Sequence, residues 1–156
     1  MKLITIIDED FVNYKKASMY IAFPNCSFKC GKGLCQNSPL AKQERVDVEY
    51  KSIVDRYMKN PYTNAIVFAG LEPFDDYIDM VNLIDEFRKV TLDDIVIYTG
   101  YNKDELDGEL HVITNACEFK NIIVKFGRYI PDQKPHYDKV LGINLASDNQ
   151  YAERIC

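Results

Sequence analysis

The sequence predicts an α/β fold in which parallel βα units repeat along the chain. Short apolar runs of strand length recur, segments with helical apolar spacing lie between them, and the runs end in glycine- or proline-bearing turns. With 156 residues, 47% of them apolar, the chain is long enough to bury a core and is read as one domain over 1–156.

The elements follow in order. Ser18-Met19-Tyr20-Ile21-Ala22-Phe23 is apolar and aromatic and runs into Pro24-Asn25, which predicts a buried strand entering a loop. Asp47 is placed to cap a helix in which Tyr50, Ile53, Val54 and Tyr57 recur at helical spacing, and Asn60-Pro61 would stop it. Ala65–Phe68 reads as a second strand that leaves through Gly70-Leu71-Glu72-Pro73. Tyr77, Met80, Val81, Ile84 and Phe87 then share one helical face, with Asp75 or Asp76 near the N-terminus. Asp94–Tyr98 is the third strand, closed by Thr99-Gly100 and followed by a short polar helix around Asn102 to Leu106. Asn121–Val124 is the fourth. Beyond Arg128, Pro131 and Pro135 break regular structure, and Val140 to Leu145 is the segment suited to an edge strand.

Parallel strands with right-handed crossovers gather the loops at their carboxyl ends on one edge of the sheet. The loop after Phe23, the Gly70-Leu71-Glu72-Pro73 loop and the Tyr98-Thr99-Gly100 loop are therefore expected to meet. No internal repeat or low-complexity tract interrupts this pattern.

The net charge of −5, with both signs interspersed, argues against a nucleic-acid partner. No apolar run approaches the roughly 18 residues of a membrane span. The start, Met1 to Asp8, meets acid too early for a secretory signal, so a soluble, cytoplasmic protein without a membrane partner is expected. The five cysteines are an odd count without an export signal, which speaks against a disulfide scaffold.

Three of the five lie in one loop, Cys26-Ser27-Phe28-Lys29-Cys30-Gly31-Lys32-Gly33-Leu34-Cys35, spaced C-x3-C-x4-C. Thiols so close together form a metal site. Gly31 and Gly33 ease the wrapping of backbone around an inorganic centre, and the charges of Lys29 and Lys32 favour thiolate. A [4Fe–4S] cluster held by Cys26, Cys30 and Cys35 would leave one iron with an open position. A structural zinc site is the alternative and needs a fourth ligand, for which Cys117 is available, whereas His111 and His136 lie at no useful spacing. Unrelated buried cysteines are the remaining reading.

With these segments the chain resembles the radical S-adenosylmethionine superfamily, and more narrowly the small activating enzymes of the anaerobic ribonucleoside-triphosphate reductase. The likeness covers most of the chain. It rests on Ala22-Phe23-Pro24-Asn25-Cys26, Cys35-Gln36-Asn37, Phe68-Ala69-Gly70-Leu71-Glu72-Pro73, Tyr98-Thr99-Gly100-Tyr101, Phe126-Gly127-Arg128-Tyr129 and Ala146-Ser147-Asp148-Asn149-Gln150. The family's usual spacing is C-x3-C-x2-C, so this loop is two residues longer, with Leu34 in the place before the last cysteine. Gly70-Leu71-Glu72 corresponds to the family's glycine-glycine-acid motif with leucine in place of the second glycine.

The resemblance implies a partial, open TIM-like barrel of parallel βα repeats, a single radical S-adenosylmethionine domain over 1–156 with its cluster loop at 26–35. It implies two cofactors, a [4Fe–4S] cluster on the catalytic cysteines Cys26, Cys30 and Cys35, and S-adenosyl-L-methionine. Glu72 and the carbonyls of Gly70 and Leu71 suit the ammonium of that molecule, Thr99 a ribose hydroxyl, Gly100 a close backbone approach, and Lys125 or Arg128 the carboxylate. Each has a plainer reading: Glu72 facing solvent at a helix start, Thr99 capping a helix, Lys125 and Arg128 as surface charges.

The partners implied are a flavodoxin-like electron donor and a large glycyl-radical reductase subunit, which an incomplete barrel leaves room for on its open side. The alternatives are a radical enzyme acting on a small molecule or peptide, and a non-catalytic iron–sulfur or zinc-binding module. The histidines read as surface or loop side chains, and the acidic run Asp104-Glu105, Asp107 and Glu109 as a solvated face. Most tyrosines read as core and rim, and Tyr14 beside Lys15-Lys16 as a candidate for a partner surface.

Overall fold

The computed structural model describes residues 1–156 except Lys32, Leu34, Gln36, Ala116, Cys117, Glu118 and the side chain of Asn115. Lys32, Leu34 and Cys117, all invoked from sequence, thus lie outside the described residues. The chain opens with β1 (Lys2–Leu3), β2 (Thr5–Asp10) and β3 (Ser18–Phe23). β4 (Val46–Asp47) precedes helix α1 (Tyr50–Lys59), and β5 (Ala65–Gly70) passes through a 3-10 turn at Pro73–Asp76 into α2 (Tyr77–Arg88). β6 (Asp94–Tyr98), α3 (Asp107–Asn115) and β7 (Ile122–Phe126) continue the alternation. β8 (His136–Asp138), β9 (Ile143–Leu145) and β10 (Tyr151–Arg154) follow.

Six strands form the central sheet in the order β10-β7-β6-β5-β3-β2. β3, β5, β6 and β7 run parallel, as their alternation with helices requires, while β2 and β10 add to the two edges antiparallel. The fold is thus α/β with a mostly parallel sheet whose two edges are not joined. Along each strand the side chains alternate between two cores. Phe68 and Ile97 pack with Ile53 of α1, Leu83 and Phe87 of α2 and Ile113 of α3. Val67, Ala69, Val96 and Ile123 face the other way, under Tyr14, Leu141 and Leu145. Helices cover one face, and the 136–145 hairpin covers the other. Among the described residues no helix is long and apolar enough to cross a membrane.

Several boundaries depart from the sequence reading for local reasons. Asp47 does not cap α1: it pairs with Lys2 in a short ladder, and the helix starts after Glu49, whose carbonyl, not its side chain, accepts from Ser52. The polar helix after Asn102 does not stop at Leu106. The carboxylate of Glu105 accepts the Asn102 N–H at 2.9 Å, which caps a 3-10 turn (Lys103–Leu106) that runs on into α3.

Val140–Leu145 does pair as a strand over Ile143–Leu145, but not at an edge of the central sheet. The Asp138 carboxylate accepts from the N–H groups of Val140 and Leu141, bending the chain into a turn, and Ile143–Leu145 pairs with His136–Asp138 in a separate hairpin. The edge next to β7 belongs to Tyr151–Arg154, which the sequence reading did not assign. Nor is Tyr14 a surface group. It is 2% exposed, and its hydroxyl donates to Asp94 at 2.9 Å beside Lys16 and Arg154. Burial would raise the Asp94 carboxyl, but donation from Lys16, Arg154 and Tyr14 outweighs it and holds the group at about 2.

Phe87 sits at the centre of the helical-side core, edge-on to Tyr57 at 5.5 Å and tilted against Phe68 at 6.3 Å. Phe87→Ala leaves a cavity that these rigid neighbours cannot fill, and it should destabilise the chain by about 3–5 kcal/mol. Urea unfolding checks this: the midpoint falls while the slope with denaturant stays unchanged.

Candidate functional site

The parallel register aligns the ends of four strands. Phe23 stands opposite Gly70, Ile97 opposite Val124 and Tyr98 opposite Lys125, so the loops that leave them open on one edge. There they border a cavity of about 360 Å³. Cys26, Cys30 and Cys35 line it, and so do Gly70, Leu71, Glu72, Thr99, Gly100, Lys125 and Arg128. Neither His111 nor His136 does.

The loop after β5 is shaped by one glycine and one acid. Gly70 has φ +92°, and a Cβ there would lie 2.8 Å from the Ala22 Cα and from the Phe23 nitrogen. Only glycine fits so close to the neighbouring strand. Leu71 is not among the positive-φ residues, so a side chain is accommodated where the resembled motif has its second glycine. Glu72 does not face solvent. It is 4% exposed; its N–H donates to the Asn25 carbonyl at 2.8 Å, and its carboxylate accepts from the Phe74 N–H at 3.2 Å and the Gly100 N–H at 2.8 Å. Burial pushes this acid up to about 7, against the bonds from Gly100, Thr99 and Phe74 that favour its ionised form.

The cysteine loop is tied to its neighbours at both ends. The Asp76 carboxylate accepts from the Asn25 N–H at 3.2 Å, the Asp75 carboxylate accepts from the Ser27 N–H, and the Asn37 side chain donates to the Gly70 carbonyl at 2.9 Å. Within the loop, Phe28 has φ 53° and Gly31 φ 87°, and a turn bond joins the Gly31 N–H to the Phe28 carbonyl at 2.9 Å. A phenylalanine in the left-handed region costs about 1–3 kcal/mol and persists only where its surroundings hold it.

All three thiols are partly exposed. Burial pushes the Cys26 thiol up to about 11 despite the Phe28 N–H that favours its thiolate. Burial and the neighbouring Cys35 raise Cys30, while Arg128 opposes them. Lys29, expected to favour thiolate, turns to the neighbouring loop. Its ammonium lies 4.4 Å from the Tyr101 ring centroid and 3.8 Å from Glu105. Metal loading of Cys26 and Cys30 therefore releases protons.

The remaining predicted residues fall into two groups. Thr99 is buried, and its hydroxyl accepts from the Tyr101 N–H at 3.0 Å, a local turn rather than a cap on α3. Lys125 is no surface charge. It is buried, its ammonium donates to the Gly127 carbonyl at 2.8 Å, and burial lowers it to about 8 although Glu72 acts the other way. Arg128 is engaged elsewhere, 2.7 Å from the Glu105 carboxylate and 5.8 Å from the Tyr101 ring centroid. Glu105 thus belongs to the site's frame rather than to a purely solvated face. Sequence reasoning missed the structural parts played by Asn37, Asp75, Asp76, Tyr101 and Glu105. Their signal was position: polar residues within a few places of a strand-end loop, where another loop's N–H groups need acceptors.

Three thiols border one cavity, and they are a donor set suited to an iron–sulfur cluster. Among the described residues no three His, Cys, Asp or Glu side chains already converge as the ligands of one bound ion would. A family model described as a 4Fe-4S single cluster domain matches residues 15–149, a span that contains every residue named above as lining the cavity. Comparison with curated proteins and with solved structures gave no significant match.

The acid at the centre of this frame has a measurable signature. Because Glu72 titrates near 7 in the fold and near 4.5 when unfolded, the native state binds the extra proton between those values. Stability contributed through Glu72 therefore declines as pH rises from about 4.5 to 7. In the metal-free chain, the unfolding free energy of wild type relative to Glu72→Gln should fall by on the order of 3 kcal/mol across that window. Denaturant titrations at a series of pH values read this directly, and a difference independent of pH contradicts it.

Proposed function

We propose, for a chain that belongs to the family of 4Fe-4S single cluster domains, that it is a small radical S-adenosylmethionine enzyme that installs a glycyl radical on a partner anaerobic ribonucleotide reductase. Cys26, Cys30 and Cys35 would hold the [4Fe–4S] cluster, beside which S-adenosylmethionine would bind. The observation that carries this reading is the single cavity on which three thiols, the Gly70-Leu71-Glu72 loop and the buried ammonium of Lys125 all open.

When bound and reduced, the cluster supplies the electron that breaks a carbon–sulfur bond of S-adenosylmethionine, giving methionine and a 5′-deoxyadenosyl radical. The protein orients and encloses. Lys125 suits the carboxylate better than Arg128, because the Arg128 guanidinium is already paired with Glu105 whereas Lys125 has the Gly127 carbonyl as its acceptor. Both oxygens of Glu72 already accept backbone N–H groups, so the substrate ammonium falls to the carbonyls of the Gly70–Leu71 turn, with Glu72 holding that turn in place. Thr99 and Gly100 border the same cavity and suit the ribose.

The mostly parallel sheet, whose two edges are not joined, is read as a partial, open barrel that leaves access for a large protein substrate. A flavodoxin-like protein is the proposed electron donor, and the cytoplasm the proposed compartment.

Anaerobic reconstitution with iron and sulfide tests the proposal. Dithionite-reduced, fully loaded protein should convert S-adenosylmethionine to 5′-deoxyadenosine and methionine. Alanine at Cys26, Cys30 or Cys35 should abolish both this reaction and the brown chromophore. A loaded protein that forms no 5′-deoxyadenosine is not a radical S-adenosylmethionine enzyme. Product formation without a glycyl-radical signal on a competent reductase partner would shift the target to a small molecule or peptide.

A further inference from the structure

Tyr101 lies where the loops after β3, β5, β6 and β7 meet. Its hydroxyl donates to the Asp75 carboxylate at 2.5 Å and lies 3.2 Å from the Ser27 hydroxyl. Its ring is approached by the Lys29 ammonium at 4.4 Å and the Arg128 guanidinium at 5.8 Å, and both cations also reach the Glu105 carboxylate. Asp75 in turn accepts the Ser27 N–H. One ring thus joins the segment between Cys26 and Cys30 to the loops after β5, β6 and β7. The residue between Ser27 and Lys29 is Phe28, which is held in the left-handed region. A strained residue flanked on both sides by contacts to one side chain needs that side chain to stay where it is.

We propose that Tyr101 is a positioning residue that clasps the Cys26–Cys30 interval, holding the loop in the shape from which its thiols take up a cluster. This rests on the reading of Cys26, Cys30 and Cys35 as cluster ligands. The clasp works through two kinds of bond. The hydroxyl fixes Ser27 and Asp75, and the ring face seats the half-exposed Lys29 beside Glu105. Tyr101 touches neither the thiols nor any reacting atom in this account, so its effect is on loop order and cluster retention.

Two measurements test the clasp. In the metal-free chain, hydrogen exchange at the amides of residues 27–31 should accelerate about tenfold in Tyr101→Phe, which loses the hydroxyl bonds. It should accelerate further in Tyr101→Leu, which also loses the ring. Amides of the central strands should remain as protected as in wild type, which separates loop release from general destabilisation. In reconstituted protein, a ferrous chelator should strip iron several-fold faster from Tyr101→Phe than from wild type, and Asp75→Asn should do the same by weakening the shared acceptor.

Unchanged amide exchange at 27–31 in both Tyr101 variants overturns the proposal. So does unchanged iron release from a wild-type-like cluster. If wild type itself takes up no cluster, the ligand reading fails instead, and hydrogen exchange alone still decides whether Tyr101 holds the loop.

Discussion

A carboxylate taken out of water is held in place by the chain around it, and in this protein that carboxylate is Glu72. Its own N–H reaches the loop after β3, its side chain accepts from the loop after β6, and it caps the 3-10 turn that leads into α2. Three strand-end loops therefore share one buried residue. An acid in that position is kept near neutrality by burial and yet is supplied with N–H donors, so it acts as a strut that can carry a proton. The cavity keeps its shape because these loops cannot move independently of Glu72.

The frame outside the cavity repeats this logic on a smaller scale. Asp75 and Asp76, which follow Glu72 in sequence, spend their carboxylates on backbone N–H groups of the cysteine loop. Asn37 returns from the far end of that loop to the Gly70 carbonyl. The loop's own backbone is strained at Phe28, so its conformation is imposed by neighbours. Lys29 and Arg128 are engaged by Tyr101 and Glu105, and burial is the leading cause that raises Cys26 and Cys30, with Arg128 opposing it at Cys30.

How much of this was legible in the sequence depends on the range of the interaction. Ser18–Phe23 and the strand starting at Ala65 were readable because a buried parallel strand is apolar throughout and ends at a glycine or proline. The convergence of the cysteine, Gly70 and Thr99 loops followed from topology alone. What stayed hidden was decided by distant partners. Tyr151–Arg154 is a strand because β7 offers it an edge, and its sequence carries no alternation strong enough to say so. Asp47 looked like a cap until Lys2 paired with it. The burial of Tyr14 and Lys125 depended on Asp94 and on the cavity floor, which no local pattern encodes.

The bonds that enclose the cavity are long in sequence, and this has a kinetic consequence. The Tyr98 hydroxyl reaches the Asn13 carbonyl across 85 positions, and Ser27 meets Tyr101 across 74. Contacts of such span form only after most of the chain has been brought together, because loop closure must come first. The cysteine loop precedes residues 98–101 in the chain, so its thiols are made before the pocket they border can be assembled. Between those two moments the thiols are exposed and unguarded, so cluster delivery has to be timed to the folded chain rather than to the nascent one.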